Sequence, residues 1–504
     1  MHSFQLPVRT HRAFGENATF QEMMGDRLKQ SPWLLMSAAM HAVLLLLIWV
    51  FLPPEQPKQP TVRVQMTDTT KQEIEQPPPP TPPELKKEVD PDITPVEDVT
   101  VSDQVSEDAN ESDLPESPSD SAFESNQWNA AVGLTGGAKG PYGSRKKGGG
   151  PGGRTSSVIV ENGLIWLARH QDENGRWDAD GFMKHDNPAM PACTGPGNAV
   201  HDVGVTALAL LAFLGENNTL RSGKYKDNVK RGVKWLIREQ DKETGLIGGR
   251  AAHDFVYDHA IAAYALCEAY GLSDYKLLEK PAQRALEYLE SHRNPYSVWR
   301  YQPRDQDNDI SVTGWAIMAY KSGKFFNLKV NDEALRLAGV FLDDVSDPTG
   351  LHGYQKAGQL CGRKKGDHEI KFPAAKSQAL TAVGLFCRFF LEQDPKEKPI
   401  MNAAANLLTK TPPKWDEKDG SIDHYYWYYA TYALFQKGGR QWTQWQKALE
   451  RAVGPNQKSN AANTNTFGSW DPVGAWGEDG GRVYSTAILT LTMQANYRYT
   501  RLIR

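Results

Sequence analysis

The stretch RDQDNDIS (304–311) crowds three carboxylates, Asp305, Asp307 and Asp309, into one short segment. Crowded carboxylates cannot all ionise, so one retains a proton and gains the character of a general acid. Another acid, Asp258, precedes His259 in the apolar stretch YDHAIAAYALCEAYG (257–271). Cleaving a glycosidic bond needs two carboxylates about 5–10 Å apart across a groove, and Asp258 and Asp309 occupy positions that could face each other. Asp307, Asp309, Asp258 and His259 are therefore the candidate catalytic residues. Asp202, Ser311, His424, Tyr425 and Trp427 stand at matching points of other segments and are the candidate lining of a binding mouth. The same residue types have structural uses: Asp and Ser cap helices, and rings at helical spacing in YYWYY (425–429) fill cores. Of the four cysteines, Cys193, Cys267, Cys361 and Cys387, none forms a CxxC. Cys267 and Cys387 fit as small apolar packers, and Cys193 and Cys361, in loops, could pair outside the cytoplasm. His424 lacks a thiolate and carboxylate at ligand spacing, so no metal and no cofactor is expected.

A second kind of chemistry sits near the N-terminus. Ser37 and His41 are four apart and share a helix face. They lie in an uncharged run, 33–52, long enough as a helix to rise about 30 Å, the hydrocarbon thickness of a bilayer. The run ends in FLPPEQP, a poor cleavage site, so it reads as a retained single-pass anchor. An ionisable group at mid-bilayer implies a partner or a proton path.

The elements that must hold these residues repeat. GLIWLARHQDENGRW (163–177) and RGVKWLIREQDKETGLIGG (231–249) share one template, and each precedes a more apolar helix, 201–215 and 257–271. Weaker copies begin at 282, 334, 401 and 445, and lead to apolar stretches at 310–323, 377–390, 424–439 and 483–497. The first helix of each pair is amphipathic and suits an outer ring; the second is apolar nearly all round and suits an inner ring. The fold expected is all-α, an (α/α)6 toroid of six hairpins whose inner N-termini gather at one anion-favouring mouth. Within the repeat, Gln171 is expected to bond backbone at its own helix end, Gly175 to allow the turn, and Trp177 to cover it.

Residues 53–157 are proline-rich and acidic, then glycine-rich, a composition that cannot bury enough apolar surface to order itself. The expected organisation is a cytoplasmic tail (1–32), a transmembrane helix (33–52), a disordered linker (53–157) and the toroid (158–504). With 504 residues and a formal net charge of -4, the chain offers no electrostatic case for nucleic acid.

The G-x-x-W-L and QDENGRW phrases resemble the repeat of prenyltransferases and squalene/terpene cyclases, over 158–504, of the kind found in repeat proteins of planctomycete-type bacteria. That resemblance implies a toroid and raises isoprenoid chemistry. Class II terpene cyclases use a D-x-D-D acid, matched here by D-x-D-N-D with Asn308 in the fourth position. DHYYWYYATYALF (423–435) looks like the repeat that donates the zinc histidine of protein prenyltransferases, which maps to His424, but the companion D-x-C is absent. Cys267 is followed by EAY, which excludes the thioester of other toroid proteins. The short tail, the S-x-x-x-H span and the spacer EIEQPPPPTPPELKKEVDP resemble the N-terminal part of the TonB family. There Ser37 and His41 would dock on an ExbB/ExbD-type proton-driven complex in the inner membrane. The N-terminus would then be cytoplasmic and the toroid periplasmic, although nothing resembles the small C-terminal receptor-binding domain of TonB. The function expected is a membrane-anchored periplasmic toroid that binds a ligand or protein partner at its mouth. The alternatives are an enzyme of the terpene cyclase or prenyltransferase type, a glycan-active enzyme, or a scaffold using its outer ring.

Overall fold

The computed structural model describes Ser37 and residues 40–44, 153–459 and 464–498. The chain divides into two units, Met1–Glu111 and Ser112–Arg504. In the first, Ser37 and 40–44 are helical, and His41 Nδ1 lies 2.7 Å from the Ser37 carbonyl, within its own helix. Among the described residues no helix is long and apolar enough to cross a membrane. The rest of the expected span 33–52, the tail and the linker up to 152 lie outside them.

In the second unit twelve long helices form six pairs among the described residues: α1 Gly153–Arg169 with α2 Asp202–Gly215; α3 Lys226–Arg238 with α4 Val256–Ser273; α5 Glu279–His292 with α6 Ile310–Phe325; α7 Asp332–Asp344 with α8 Ala379–Phe390; α9 Pro399–Lys410 with α10 His424–Lys437; α11 Gly439–Val453 with α12 Gly477–Met493. No strand is present among these residues, only two isolated bridges. Helix α1 begins ahead of the boundary expected at 158, because packing extends to Ser156, which is fully buried.

Even-numbered helices are buried almost all round, as in α2, where every residue is buried. Odd-numbered helices bury one stripe: α3 hides Val229, Gly232, Val233 and Leu236, the spacing of one helical face. Each inner helix packs against the next, α2 on α4, α4 on α6, α6 on α8, α8 on α10 and α10 on α12, and α12 returns to α2 and α1. The ring is closed.

The glutamine of the repeat does more than was expected of it. Gln171 Nε2 donates to Gly175 O and to Asn228 O of the next outer helix, both at 3.0 Å. Gln240 does the same with Gly245 O at 3.2 Å and Pro281 O at 3.0 Å. Gln457 bonds Gly468 O at 3.0 Å and Ile159 O at 2.8 Å, so the last repeat is stitched to the first. These amides join neighbours rather than cap their own helices. Gly175 and Gly245 sit at φ +101° and +82°, and a Cβ on either would strike the backbone of the next outer helix at Arg231 O or Arg284 O. The tryptophan after the turn locks it to its own pair. Trp177, Trp299 and Trp470 donate Nε1–H to Leu167 O, Leu289 O and Val453 O at 2.8, 2.8 and 2.9 Å. Their backbone N–H groups donate to Thr206, Thr313 and Thr486 of the inner helices.

Candidate functional site

All six inner helices start at one end of the ring and surround its centre. Two adjoining hollows of about 190 and 370 Å³ open there and share Asp254, Tyr257, Tyr301, Ser311, Tyr425, Trp476 and Asp479. His201 immediately precedes α2, which adds Val205 and Leu208, while Asp258 and Ile261 come from α4, Trp315 from α6, Leu380 from α8, and Tyr484 and Ile488 from α12. The floor is aliphatic and aromatic, and the rim carries carboxylates. The centre is therefore not filled, contrary to the shape expected of an outer-ring scaffold.

His201 Nδ1 and Asp258 Oδ2 are 3.1 Å apart at the rim, with side chains 16% and 11% exposed. Burial pulls the imidazole down, but the hydrogen bond and charge of Asp258, with Asp254 and Asp479, outweigh it and raise its pKa. Burial raises the Asp258 carboxyl. Both shifts favour the protonated form of the pair. Tyr425 and Ser311 meet through their hydroxyls at 2.6 Å. Two donors in the wall, Tyr484 Oη and Trp476 Nε1, are buried without a hydrogen-bond partner.

Asp309 lies behind the wall. It is fully buried and caps α6, accepting from Val312 N at 2.8 Å, while Arg300 Nε lies 3.7 Å from Oδ2. Burial pushes its carboxyl up to about 7, against the opposing pull of the Val312 amide and Arg300. In front of it the hydroxyls of Tyr301 and Tyr354 are hydrogen bonded to each other, and both rings line the larger hollow. Asp309 consequently does not face Asp258 across the hollow. The acids that share the hollow with Asp258 are Asp254 and Asp479.

The other candidates separate cleanly. Asp307 is exposed, paired with Arg300 at 2.8 Å, and does not line either hollow. His259 faces away from the centre: its Nδ1 accepts from Ile247 N at 3.0 Å and its Nε2 donates to Ala285 O at 3.0 Å. It takes the place that Thr206 and Thr313 hold in other repeats. Asp202 belongs to a knot with Arg176 at 2.8 Å and the Ala179 amide at 2.8 Å, where burial raises it to about 6. His424 and Trp427 pack with Trp415 in the core. Burial lowers His424 to about 4, and neither ring nitrogen has a hydrogen-bond partner. Of the candidates, Asp258, Ser311 and Tyr425 reach the hollow. Cys193 and Cys361 are unpaired. The residues not anticipated are His201, Tyr257, Tyr301, Asp254, Trp476, Asp479 and Tyr484.

No family model and no curated protein matches the sequence. Among solved structures the chain is similar to an unsaturated glucuronyl hydrolase specific for heparin (14% identity, 68% of this chain and 97% of that one, TM-score 0.48). It is also similar to the α-1,6-mannanase GH76A of Salegentibacter sp. HEL1_6 (11%, 68% and 98%, 0.46) and to the type II terpene cyclase MstE from Scytonema (13%, 68% and 97%, 0.42). At these scores neither substrate nor mechanism transfers.

Proposed function

We propose that the toroid mouth is the active site of an acid–base enzyme acting on a glycan. The observation that carries this is the composition of one hollow: a His201–Asp258 pair, two further carboxylates, aromatic walls and two unpartnered donors. A buried donor without a partner costs about 1–3 kcal/mol, a cost that a ligand hydroxyl at Tyr484 or Trp476 would remove. Flat rings such as Trp476 and Tyr257 suit the apolar faces of sugars, and the carboxylates suit their hydroxyls. In this scheme the imidazolium of His201, steadied by Asp258, protonates the leaving oxygen. Asp479 or Asp254 takes a proton from the water that attacks the anomeric carbon as the bond to the leaving oxygen breaks. Asp258→Asn should lower turnover about a hundredfold with little change in sugar binding. The test is release of reducing ends across a broad glycan panel, run alongside polyprenyl ligands. Thermal protection by polyprenyl ligands alone, with no response to any sugar, would reject the glycan.

A second reading rests on Asp309. A carboxyl near pKa 7 behind a tyrosine pair could deliver a proton through Tyr354 and Tyr301 to an alkene. Isoprenoid turnover abolished by Asp309→Asn but kept in Asp258→Asn would favour it.

The expected setting remains part of the proposal: a 33–52 anchor in the inner membrane, the toroid periplasmic, and coupling to an ExbB/ExbD-like complex through Ser37 and His41. The uncharged run and the S-x-x-x-H spacing support it. His41→Ala should insert normally yet abolish function in cells, and unchanged function in that variant removes the coupling.

A further inference from the structure

Outside the mouth, in the connection between α1 and α2, three ligand types converge. His170, Asp186 and Cys193 each offer one atom, and these atoms lie within 4.8 Å of one another. His170 is 1% exposed, Cys193 4% and the Asp186 side chain 8%. His170 Nδ1 is 2.8 Å from Trp166 O, so it carries the hydrogen and donates it. The ring also stacks on Trp166 at 4.1 Å, which fixes its plane. Nε2 then points at Asp186 Oδ1, 3.2 Å away, and at Cys193 Sγ, 3.9 Å away. Nitrogen, oxygen and sulfur thus converge on one enclosed point, three different metal-ligand atoms held at close range.

We propose that His170 Nε2, Asp186 Oδ1 and Cys193 Sγ form a divalent-metal site of the zinc class, with a fourth position for water or a small anion. Imidazole, carboxylate and thiolate together favour zinc over the harder cations. Bonds of about 2.0 Å at the tetrahedral angle put the N and O ligands about 3.3 Å apart, and N and S about 3.5 Å apart. The first edge already matches the observed 3.2 Å, and the N–S edge has to shorten from 3.9 Å by a few tenths of an ångström. The supporting contacts are in place: Trp166 O fixes the histidine tautomer, and Asp186 Oδ2 accepts from Cys193 N at 2.6 Å. The ligands stand 16 and 23 residues from His170, an interval with no motif, which is why the sequence pointed to no metal.

Such a site would brace the mouth without touching it. The chain that leaves Cys193 runs to Gly195, whose carbonyl accepts from Arg482 N at 2.9 Å, and to Asn198, which donates to Asp479 O at 2.7 Å. Metal at the start of this segment would stiffen the wall that carries Asp479 and Tyr484.

The test uses the purified full-length chain. Elemental analysis should find one zinc per chain, falling at least tenfold in Cys193→Ser with helical circular dichroism unchanged. Wild type stripped and reloaded with cobalt should show a thiolate-to-cobalt charge-transfer band in the near ultraviolet, absent from Cys193→Ser. Wild type that holds neither zinc nor cobalt after reloading would overturn the site, leaving a histidine–aspartate ion pair beside an idle thiol. Equal metal content in wild type and Cys193→Ser would also overturn it. If Cys193→Ser misfolds, the cobalt band of wild type decides alone.

Discussion

At the residue scale, neighbours in sequence divide between centre and periphery. His201 enters the hollow while Asp202 turns into the Arg176 knot. Asp258 enters while His259 turns outward to Ile247 and Ala285. Tyr425 enters while His424 turns into the Trp415 cluster. Successive helical residues point about 100° apart, so one step decides between chemistry and packing. The sequence showed where polar residues gather at helix starts, but not the rotation of each helix, which packing against the outer ring sets. Asp309 gives a pH prediction. Its folded pKa of about 7 lies above the ordinary carboxylate value, so the folded state binds the extra proton between those limits. Stability from this group is whole below about pH 4 and is lost as pH rises through 7, a difference of about 4 kcal/mol at the top. Asp309→Asn, which keeps a capping side chain, should match wild type near pH 4 and exceed it by a few kcal/mol at pH 8 in denaturant melts. A constant gap across that range would mean that Asp309 does not titrate.

At the element scale, the six pairs were readable because each helix signals its own face: alternating stripes for α3 and α5, continuous apolar runs for α2 and α4. The turn glycine and tryptophan were readable for the same local reason. The reach of Gln171, Gln240 and Gln457 was not, because their second acceptors belong to the following repeat, and for Gln457 to the first helix. A local phrase carries no trace of such a partner. Two substitutions weigh the device. Gln240→Ala leaves the Gly245 and Pro281 carbonyls without this donor and should cost about 1–3 kcal/mol. Gly175→Ala combines left-handed backbone with a collision at Arg231 O and should cost at least as much, roughly 1–3 kcal/mol from the backbone alone. Urea melts read both. A loss below about 0.5 kcal/mol for Gln240→Ala, the range of neutral surface changes, would mean that water replaces the amide at no cost.

At the scale of the whole molecule, closure changes how the second unit must fail. An open stack of hairpins can peel from either end, because each repeat touches only its neighbours. Here the ends are joined three ways. Helix α12 packs on α1 and α2. Gln457 holds Ile159. Near the C-terminus Arg498 donates to Leu211 O at 2.7 Å and pairs with Glu268 at 2.6 Å, both side chains of the pair 1% exposed. Glu268 sits on α4 and Leu211 on α2, so one guanidinium clamps two inner helices at the end opposite the mouth. Breaking a buried pair by removing one partner strands the other charge and costs about 3–5 kcal/mol. Arg498→Met should therefore lower the midpoint of the entire ring in a single transition, with the tryptophans of early and late repeats, Trp177 and Trp470, melting together. Separate transitions for those two indoles would show that the seam opens first and that the ring behaves as a linear array. The mouth depends on the outcome, since His201 on one side of the seam and Tyr484 on the other line the same hollow. An opened seam would part them at the temperature where the late indole melts rather than at that of the early one.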